Sequence, residues 1–518
     1  MPEYLSPGVY IEEVNSGPRP IEGVGTAMAA FVGLAPGGPV NQPVLVTNWS
    51  QYVEAFGVAE NGGRRTAHMK GTYLSHAVYS YFLNGGGRCY VTRINNNGPG
   101  GMATGAPLQL PSKASKAIPS LTLQAKGAAT KDIEVEVAPP SGDAPPEGSF
   151  TLRVRMGSTH EVFENVTLGK AKGTRNVVET VNQVSQLIVV VEAQASGALA
   201  ERMPETGSYV LKPGQATVLP QLSPNNFKGD AAARSGVEGL EIAEDATMVC
   251  CPDLMAAYEA GLIDREGVKA VQTALIAHCE RMGDRMAILD PLPGLSPQEV
   301  KKWRETETNY DSKFAVLYYP WIKMSGPDGR PIAVPPCGHI AGIYARSDNE
   351  RGVHKAPANE VLRGALEAAT QVTKGEQDTL NPVGVNCIRS FTGRGIRIWG
   401  ARTLSSDPAW RYVNVRRLFN YVEKSIERGT QWVVFEPNDP DLWARVRRDV
   451  GAFLTGVWRS GALFGLTTDQ AFFVKCDEEV NPPDVRDRGQ LIIEIGLAPV
   501  KPAEFVIFRL SQFSGGGA

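Results

Sequence analysis

The residue types that most often perform acid–base or metal chemistry are thinly spread along this chain. Its 518 residues include six histidines: His68, His76, His160, His278, His339 and His354. Two histidines that share an ion on one helix stand three or four residues apart, whereas His68 and His76 are eight apart in one predicted helix. The patterns GxSxG, HExxH and GxxxxGK[ST] do not occur. We therefore expect no catalytic residues, no bound metal and no cofactor.

Two glycine-rich stretches could cradle a phosphate, but both stand in the wrong context. Gly85–Gly87 follows a predicted helix and precedes a strand, whereas phosphate sites use a strand followed by a helix. Gly393–Gly395 lacks the third glycine of a dinucleotide fingerprint. The adjacent acids Glu12-Glu13 and Asp477–Glu479 would point to opposite faces of a strand, which makes them poor acid–base pairs. An enzyme with a site assembled only in three dimensions remains a remote alternative.

Composition indicates a globular protein of several domains. Hydrophobic residues make up 42% and charged residues 21%, and at roughly 150 residues per domain the length predicts two to four domains. The seven cysteines are odd in number and widely spread, which favours buried thiols in a reducing compartment. No apolar run reaches the ~20 residues of a membrane span, and the first residues, MPEYLSPGVYIEE, do not resemble a signal peptide. The sequence thus predicts synthesis and assembly in the cytoplasm.

Charge is distributed unevenly along the chain. The net charge is −3, which predicts no general affinity for nucleic acid. Residues 386–460 nevertheless hold 13 Lys plus Arg against 7 Asp plus Glu, a net of +6, so the remainder carries −9. A basic region on an acidic body suits an acidic protein partner or contacts between copies. Binding of nucleic acid by the arginines of residues 386–460 is the less favoured interpretation.

The elements that would position any site alternate between strand and helix. Residues 21–97 and 231–382 read as one discontinuous α/β domain, interrupted by a mainly β insertion at 98–230. A C-terminal α+β domain is expected at 383–500, flanked by an N-terminal arm (1–20) and a C-terminal strand and tail (501–518).

Two helices of the C-terminal domain have clear start signals. Asp407-Pro408 predicts the start of one helix, which Gly429 would end. Its polar face, which includes Arg416 and Arg417, is expected to be solvated or intersubunit. Asp439-Pro440 opens the second helix, whose apolar stripe begins at Leu442.

Several long motifs resemble those of one known family. They are SPGVYIEEV (6–14), AAFVGLAPGGPVNQPVLVTNWSQYVEAFG (29–57), LSHAVYSYFLNGGGRCYVTRI (74–94), the segment VNCIRSFTGRGIRIWGARTLSSDPAWRYVNVRRLFNYVEKSI (385–426) and QLIIEIGLAPVKPAEFVIFRLSQ (490–512). Together they resemble the tail sheath proteins of contractile phages and phage-tail-like injection machines. The resemblance covers roughly residues 1–97 and 235–518.

This resemblance implies a structural subunit that polymerises with itself around an inner tube, as a helix or as stacked rings of six-fold symmetry. An extended, metastable sheath would contract and drive the tube through a target envelope. Further expected partners are baseplate and terminal cap proteins, with no direct contact to nucleic acid or membrane. The insertion 98–230 would lie on the outer surface. A non-contractile shell or surface-lattice protein is the main alternative.

The resemblance also assigns roles to residues. The arms would add strands to sheets of neighbouring copies through Val9, Tyr10, Ile11 and Glu12 at one end and Phe505, Val506, Ile507 and Phe508 at the other. The residues alone leave pairing within the same subunit equally open. Candidate basic contacts to the tube or to another copy are Arg445, Arg447 and Arg448 on the second helix, with Arg416 and Arg417 on the first.

Overall fold

An eight-stranded sheet organises the larger part of the protein. The structure, a computed structural model, describes residues 20–59, 65–94, 108–113, 119–125, 132–142, 145–157, 159–169, 175–193, 199–211, 219 and 222–509. The strands of the main sheet are β1 (Ala29–Gly33), β2 (Val44–Val46), β3 (Cys89–Arg93), β4 (Met248–Cys250), β5 (Met286–Leu289), β6 (Ala315–Tyr319), β7 (Val385–Phe391) and β8 (Gly395–Ile398). Their spatial order is β2-β3-β1-β4-β5-β6-β7-β8.

The six central strands are parallel, and β2 and β8 pair antiparallel at the two edges. Every residue of β1, β4, β5 and β6 is buried. Such strands are apolar throughout because helices cover both faces of a parallel sheet. The mixed α/β class predicted from the sequence is thereby confirmed.

Four long helices cover this sheet: α1 (Trp49–Phe56), α2 (Leu74–Leu83), α3 (Arg265–Met282) and α4 (Cys337–Arg351). Helix α3 shows why the ends fall where they do. Asp264 accepts a hydrogen bond from the backbone N–H of Gly267, and Gly283 ends the helix with φ +70°. Shorter helical segments lie at Pro224–Lys228, Glu238–Ile242, Asp253–Glu259, Pro297–Lys302, Trp303–Thr308, Lys374–Leu380 and Asn381–Val383.

The sheet continues past residue 383, where the sequence analysis placed the start of the C-terminal domain. Strand β7 pairs in parallel with β6, with Leu317 opposite Val385, and β8 returns antiparallel along β7. The predicted boundary therefore needs correction, because residues 385–398 complete the core sheet before the chain leaves it.

The inserted region is rich in β structure. Its five-stranded sheet uses Ile133–Ala138, Ser149–Met156, Thr159–Thr167, Arg175–Asn176 and Gly207–Leu211, and its three-stranded sheet uses Leu108–Pro111, Pro119–Ala125 and Ile188–Glu192. Helices Val177–Val184 and Leu199–Arg202 accompany them. Elsewhere, Ile322–Ser325, Pro331–Val334 and Ala365–Ala368 form a small sheet, and Val58–Ala59 pairs with Arg65–Thr66.

The remaining elements surround a second hydrophobic core. They are α5 (Val413–Gly429), α6 (Pro440–Arg459), β9 (Phe472–Lys475), β10 (Glu494–Leu497) and the short helical segments Pro408–Trp410, Gln431–Val433, Thr468–Ala471 and Pro483–Asp487. Helix α6 has the predicted cap, because Asp439 accepts from the N–H of Leu442. Helix α5 begins later than predicted, since Asp407 caps only a single 3₁₀ turn and the α-helix starts at Val413. No helix in the described ranges is long and apolar enough to cross a bilayer.

Candidate functional site

The place where open α/β sheets usually bind ligands is filled by a side chain of this protein. The order of the parallel strands reverses between β1 and β4, and a crevice is expected there beyond the carboxyl ends of the strands. The fully buried Asp253 occupies it. This carboxylate accepts hydrogen bonds from the backbone N–H groups of Leu34 (2.6 Å), Leu74 (3.2 Å) and Tyr73. Burial raises the Asp253 pKa to about 6, although the backbone donors oppose that shift.

The histidines that the sequence placed in one helix are in direct contact. His68 precedes α2 and so lies outside the helix, which corrects that prediction. Its ring stacks on His76 with centroids 4.7 Å apart. Burial lowers the pKa of both rings, to about 4 for His76, where His68 adds to the effect. Among the described residues, no group of three or more His, Cys, Asp or Glu side chains could hold a metal ion.

Helix α5 joins the core around the main sheet to the core of the C-terminal elements, called here the C-terminal core. Val413 belongs to the core around the main sheet, while Leu418 and Val422 belong to the C-terminal core. The helix is therefore buried on more than one side. Two of its arginines, predicted to be exposed, are consequently buried as well.

Arg417 and Arg416 make internal contacts instead of a surface for another protein. Arg417 binds Asp348 of α4 through two hydrogen bonds, of 2.8 Å from Nη1 and 2.5 Å from Nη2, and both side chains are almost fully buried. Arg416 bonds to Asn420 and, at 2.9 Å, to Glu423. Both arginines are thus corrected as candidates for tube or intersubunit contact, because neither is accessible in the folded chain.

The first described residues run along the C-terminal half of α5. Ile21 packs into the C-terminal core against Gly429, where an added Cβ would approach Ile21 Cγ1 to 2.7 Å. The N–H of Val24 donates to Ser425 Oγ at 3.1 Å. Arg417 Nη2 donates to the carbonyl of Thr26 at 3.0 Å. Helix α5 therefore holds the root of the N-terminal segment. The predicted exchange residues Val9, Tyr10, Ile11 and Glu12 lie outside the described residues.

The opposite end of α5 holds the root of the C-terminal segment. Glu504 accepts two hydrogen bonds from Arg402 and one each from Asn381 (2.7 Å) and Tyr412 (2.9 Å), the residue just before α5. Asn414 donates to the carbonyl of Val500 at 3.1 Å. The two roots are thus separated by the length of α5, about 25 Å at 1.5 Å per residue. The sequence does not predict this anchor, because Glu504 falls in the segment 501–518 that is expected to be a strand and tail.

Immediately after Glu504, the chain leaves the body of the protein. Phe505, Val506, Ile507 and Phe508 have 70%, 71%, 80% and 83% of their surfaces exposed. Residues 501–509 form no strand in the single chain, although the sequence predicts one from Glu504. A strand needs a partner for its backbone groups, and none of the described residues supplies one. Four consecutive exposed apolar residues are unusual on the surface of a soluble monomer.

A small sheet with exposed apolar residues lies in the same domain. Strands β9 and β10 pair only with each other within the described residues. On and beside them, Phe473, Phe464 and Leu466 are 58%, 74% and 90% exposed. The N–H of Phe464 donates to the carbonyl of Ala498, which follows β10. Unpaired edges beside apolar side chains can receive another strand.

The arginines of α6 differ in accessibility. Arg447 is half-buried and donates to the carbonyl of Cys476. Arg445 lies 5.5 Å from the ring centroid of Trp432 and 3.8 Å from Glu436, and Arg448 lies 3.0 Å from Asp449. The side chains of Arg445 and Arg448 remain about half exposed. Of the five predicted basic residues, these two could reach another protein most readily.

The exposed segment 505–508, the edges of the β9–β10 sheet and the half-exposed arginines of α6 are all suited to contact with other protein chains. Such features are typical of an assembly subunit. Two family models identify which class of subunit it is. The phage tail sheath protein central domain matches residues 238–404, and the phage tail sheath C-terminal domain matches residues 405–513. Together they cover more than half of the chain. This protein belongs to the phage tail sheath family.

Individual relatives agree with this assignment. The tail sheath protein of Burkholderia phage BcepMu is 25% identical over 97% of this chain and 95% of its own. The tail sheath protein of Vibrio phage KVP40 is 30% identical over 33% of this chain. The matched part spans only 26% of that longer protein. Among solved structures, the helical sheath of the anti-feeding prophage in its contracted state matches with a TM-score of 0.57 and 25% identity, over 98% of this chain and 99% of that one.

Proposed function

We propose that this chain is the structural subunit of a contractile sheath. It polymerises around an inner tube, and its contraction from a metastable extended state drives the tube through a target cell envelope. The observation that carries this proposal is that Val24 and Val500 are held by opposite ends of α5, with residues 505–508 exposed beyond the C-terminal root. The similarity to an anti-feeding prophage sheath in its contracted state supports it.

The copies are linked by strand exchange. Residues 505–508 of one copy, and residues 9–12 of another, add to the two-stranded sheet of β9 and β10 in a neighbour. Such pairing satisfies backbone groups of residues 505–508 and of the β9–β10 edges that the described residues leave unpaired, and the exposed Phe464, Leu466 and Phe473 supply apolar area for the added strands. Because the described roots lie at α5 and residues 505–508 extend beyond the C-terminal root, the linkage tolerates rotation of one body against the next.

Other partners follow from the same role. Helix α6 faces the inner tube through Arg445 and Arg448, while baseplate and terminal cap proteins close the ends of a six-fold polymer. The insertion at 98–230 lies on the outside. Contraction uses energy stored in the metastable assembly and requires no catalysis by this chain. Each ~1,000 Å² of new apolar contact between copies contributes about 25 kcal/mol of stabilising free energy before entropic and polar costs.

Co-expression with the cognate tube protein, followed by electron microscopy, tests the proposal. We expect long cylinders that shorten and widen when contraction is triggered. Deletion of residues 1–14 should leave a folded subunit that builds no contractile sheath, and normal sheaths from that variant would reject strand exchange through the N-terminal arm. Flat or fixed lattices from the intact chain would favour the shell alternative, and a discrete oligomer would argue against any sheath.

A further inference from the structure

Phe435 occupies an unfavourable position for an isolated chain. It lies between Gln431–Val433 and α6, its side chain is fully exposed, and its φ is +68°. The other described non-glycine residues with positive φ are Arg234 and four asparagines, a residue type that tolerates this conformation. A phenylalanine there loses free energy through both backbone strain and exposed apolar surface. None of the described residues covers the ring, so no contact among them compensates for this loss.

The segment that presents Phe435 is nevertheless held firmly. Asn438 Nδ2 donates to the carbonyl of Gln490 at 2.9 Å, and its Oδ1 accepts from Trp443 Nε1 at 2.8 Å. The N–H of Glu436 donates to the carbonyl of Val433 at 3.1 Å. The ring therefore projects from a fixed base. A rigidly presented aromatic residue is typical of an interface anchor, since little entropy is lost when it binds.

A cavity of suitable chemistry lies on the α/β part of the same chain. Its volume is 340 Å³, and Trp49, His68, His76, Tyr79 and Met324 line it. Tyr79 is 38% exposed and packs edge-on against Trp49 at 5.2 Å. Because both histidines have lowered pKa values, the lining is uncharged at neutral pH. Aromatic walls and a thioether favour a ring as occupant.

We propose that Phe435 of one copy inserts into the cavity lined by Trp49, His76 and Tyr79 of a second copy. This inference rests on the proposed function, because it concerns a contact within the sheath. A projection and a cavity at different places on one chain make a heterologous contact, and repeated contacts of that kind generate rings or helices. The contact is additional to the strand exchange of the chain ends.

Site-specific photocrosslinking tests the contact in cylinders that assemble as those of the wild-type chain do. A photoreactive phenylalanine analogue at position 435 should crosslink to another copy of the chain, within residues 45–83 or 322–327 or at Gly364. Crosslinks to the tube protein, to other parts of the chain, or to nothing would overturn the inference. If cylinders form and contract without this crosslink, the proposed function stands and only the inference fails. If no cylinders form, the proposed function fails.

Substitutions provide a second, independent readout. Phe435→Ala and Tyr79→Ala should each raise the concentration needed for assembly about tenfold, and the double variant should be little worse than either, because both remove one contact. Val184→Ala, at another exposed apolar position, is the matched control. Phe435→Gly should weaken assembly while the isolated subunit becomes no less stable, since glycine relieves the strained φ. Assembly unaffected by Phe435→Ala, or additive effects in the double variant, would contradict the proposal.

Discussion

Arg402 and Glu504 form a two-bonded ion pair that fixes the point where the C-terminal segment leaves the body. The bonds measure 2.9 Å from Nε to Oε1 and 2.7 Å from Nη2 to Oε2, and both side chains are largely buried. Burial alone would raise the Glu504 pKa, but the bonds from Arg402, Asn381 and Tyr412 hold it below its ordinary value of 4.5. The ionised carboxylate is therefore the form that anchors the segment.

Glu504→Gln should loosen this root without unfolding the subunit. The amide replaces one acceptor oxygen by a donor that faces Arg402 or Tyr412, so we expect a loss of about 1–3 kcal/mol, confined to the segment. Hydrogen exchange of residues 500–504 should accelerate, while the exchange of the main sheet stays unchanged. Because the folded pKa is depressed, the anchor's contribution is present above the unfolded pKa and is lost as the pH falls through the folded one. Glu494→Gln, at an exposed position, is the control, and equal exchange in both variants would refute the anchoring role.

Asp348→Asn should destabilise the whole subunit. Arg417 would then remain buried with an uncompensated charge, which typically costs about 3–5 kcal/mol. Urea denaturation should show this loss as a lower midpoint. The double variant with Arg417→Met should recover part of it, because no unpaired charge remains. A double variant less stable than Asp348→Asn would contradict this account.

The buried arginines also show where sequence reasoning fails. Charged residues on a helix are usually exposed, so Arg416 and Arg417 were assigned to an outward face. The burial of Arg417 depends on Asp348, which lies 69 residues earlier in the chain, and the burial of both arginines depends on the packing of α5 between two cores. The sequence also predicts the segment of β7 in the C-terminal domain, because its pairing partner β6 is distant in sequence. Contacts over such separations leave no local pattern.

Local signals, in contrast, predicted several elements well. The cap at Asp439 and the apolar stripe of α6 are confirmed, with Leu442, Val446 and Val450 all buried. Ser296 and Glu299 form a capping box, a pattern that can be read directly from the spacing of the two residues in the sequence. Asp407 is an N-cap as predicted, although it caps only a single 3₁₀ turn. The family resemblance was also confirmed, because long motifs retain information that periodicity lacks.

Asp290→Asn should remove a pH dependence of stability. Asp290 follows β5, accepts from the N–H of Cys337 at 2.9 Å, and has its pKa raised to about 7 by burial. Since the folded pKa lies above the unfolded one, stability is highest at low pH and is lost as the pH rises through about 7. The wild-type chain should therefore lose at least ~1 kcal/mol between pH 6 and pH 8, at ~1.4 kcal/mol per pKa unit, and the variant should lose less. If urea titrations show that the wild type and the variant lose the same free energy of unfolding between pH 6 and pH 8, this account is disproved.

Ile507→Pro should block assembly while leaving the monomer intact. The residue is 80% exposed and is not paired with any of the described residues, so the monomer's melting temperature should not change. In an added strand, proline removes one backbone donor and is excluded from central positions. Ile507→Thr is the matched control, because it keeps both the N–H and the β-branched shape. Cylinders of normal length from the proline variant would show that this segment does not pair as a strand.

Reversal of two charges on α6 separates contact with the tube from contact between copies. In the Arg445→Glu and Arg448→Glu double variant, we expect sheath–tube co-assembly to fall while self-association through the chain ends persists, because neither arginine contributes to the anchors on α5. The effect should weaken with added salt, since half-exposed charges are screened. Arg330→Glu, at an 86% exposed position in the hairpin turn between Ile322–Ser325 and Pro331–Val334, provides the control for added negative charge. Equal loss of self-association and co-assembly would mean that α6 contacts another sheath copy, and unchanged co-assembly would remove these arginines from the tube interface.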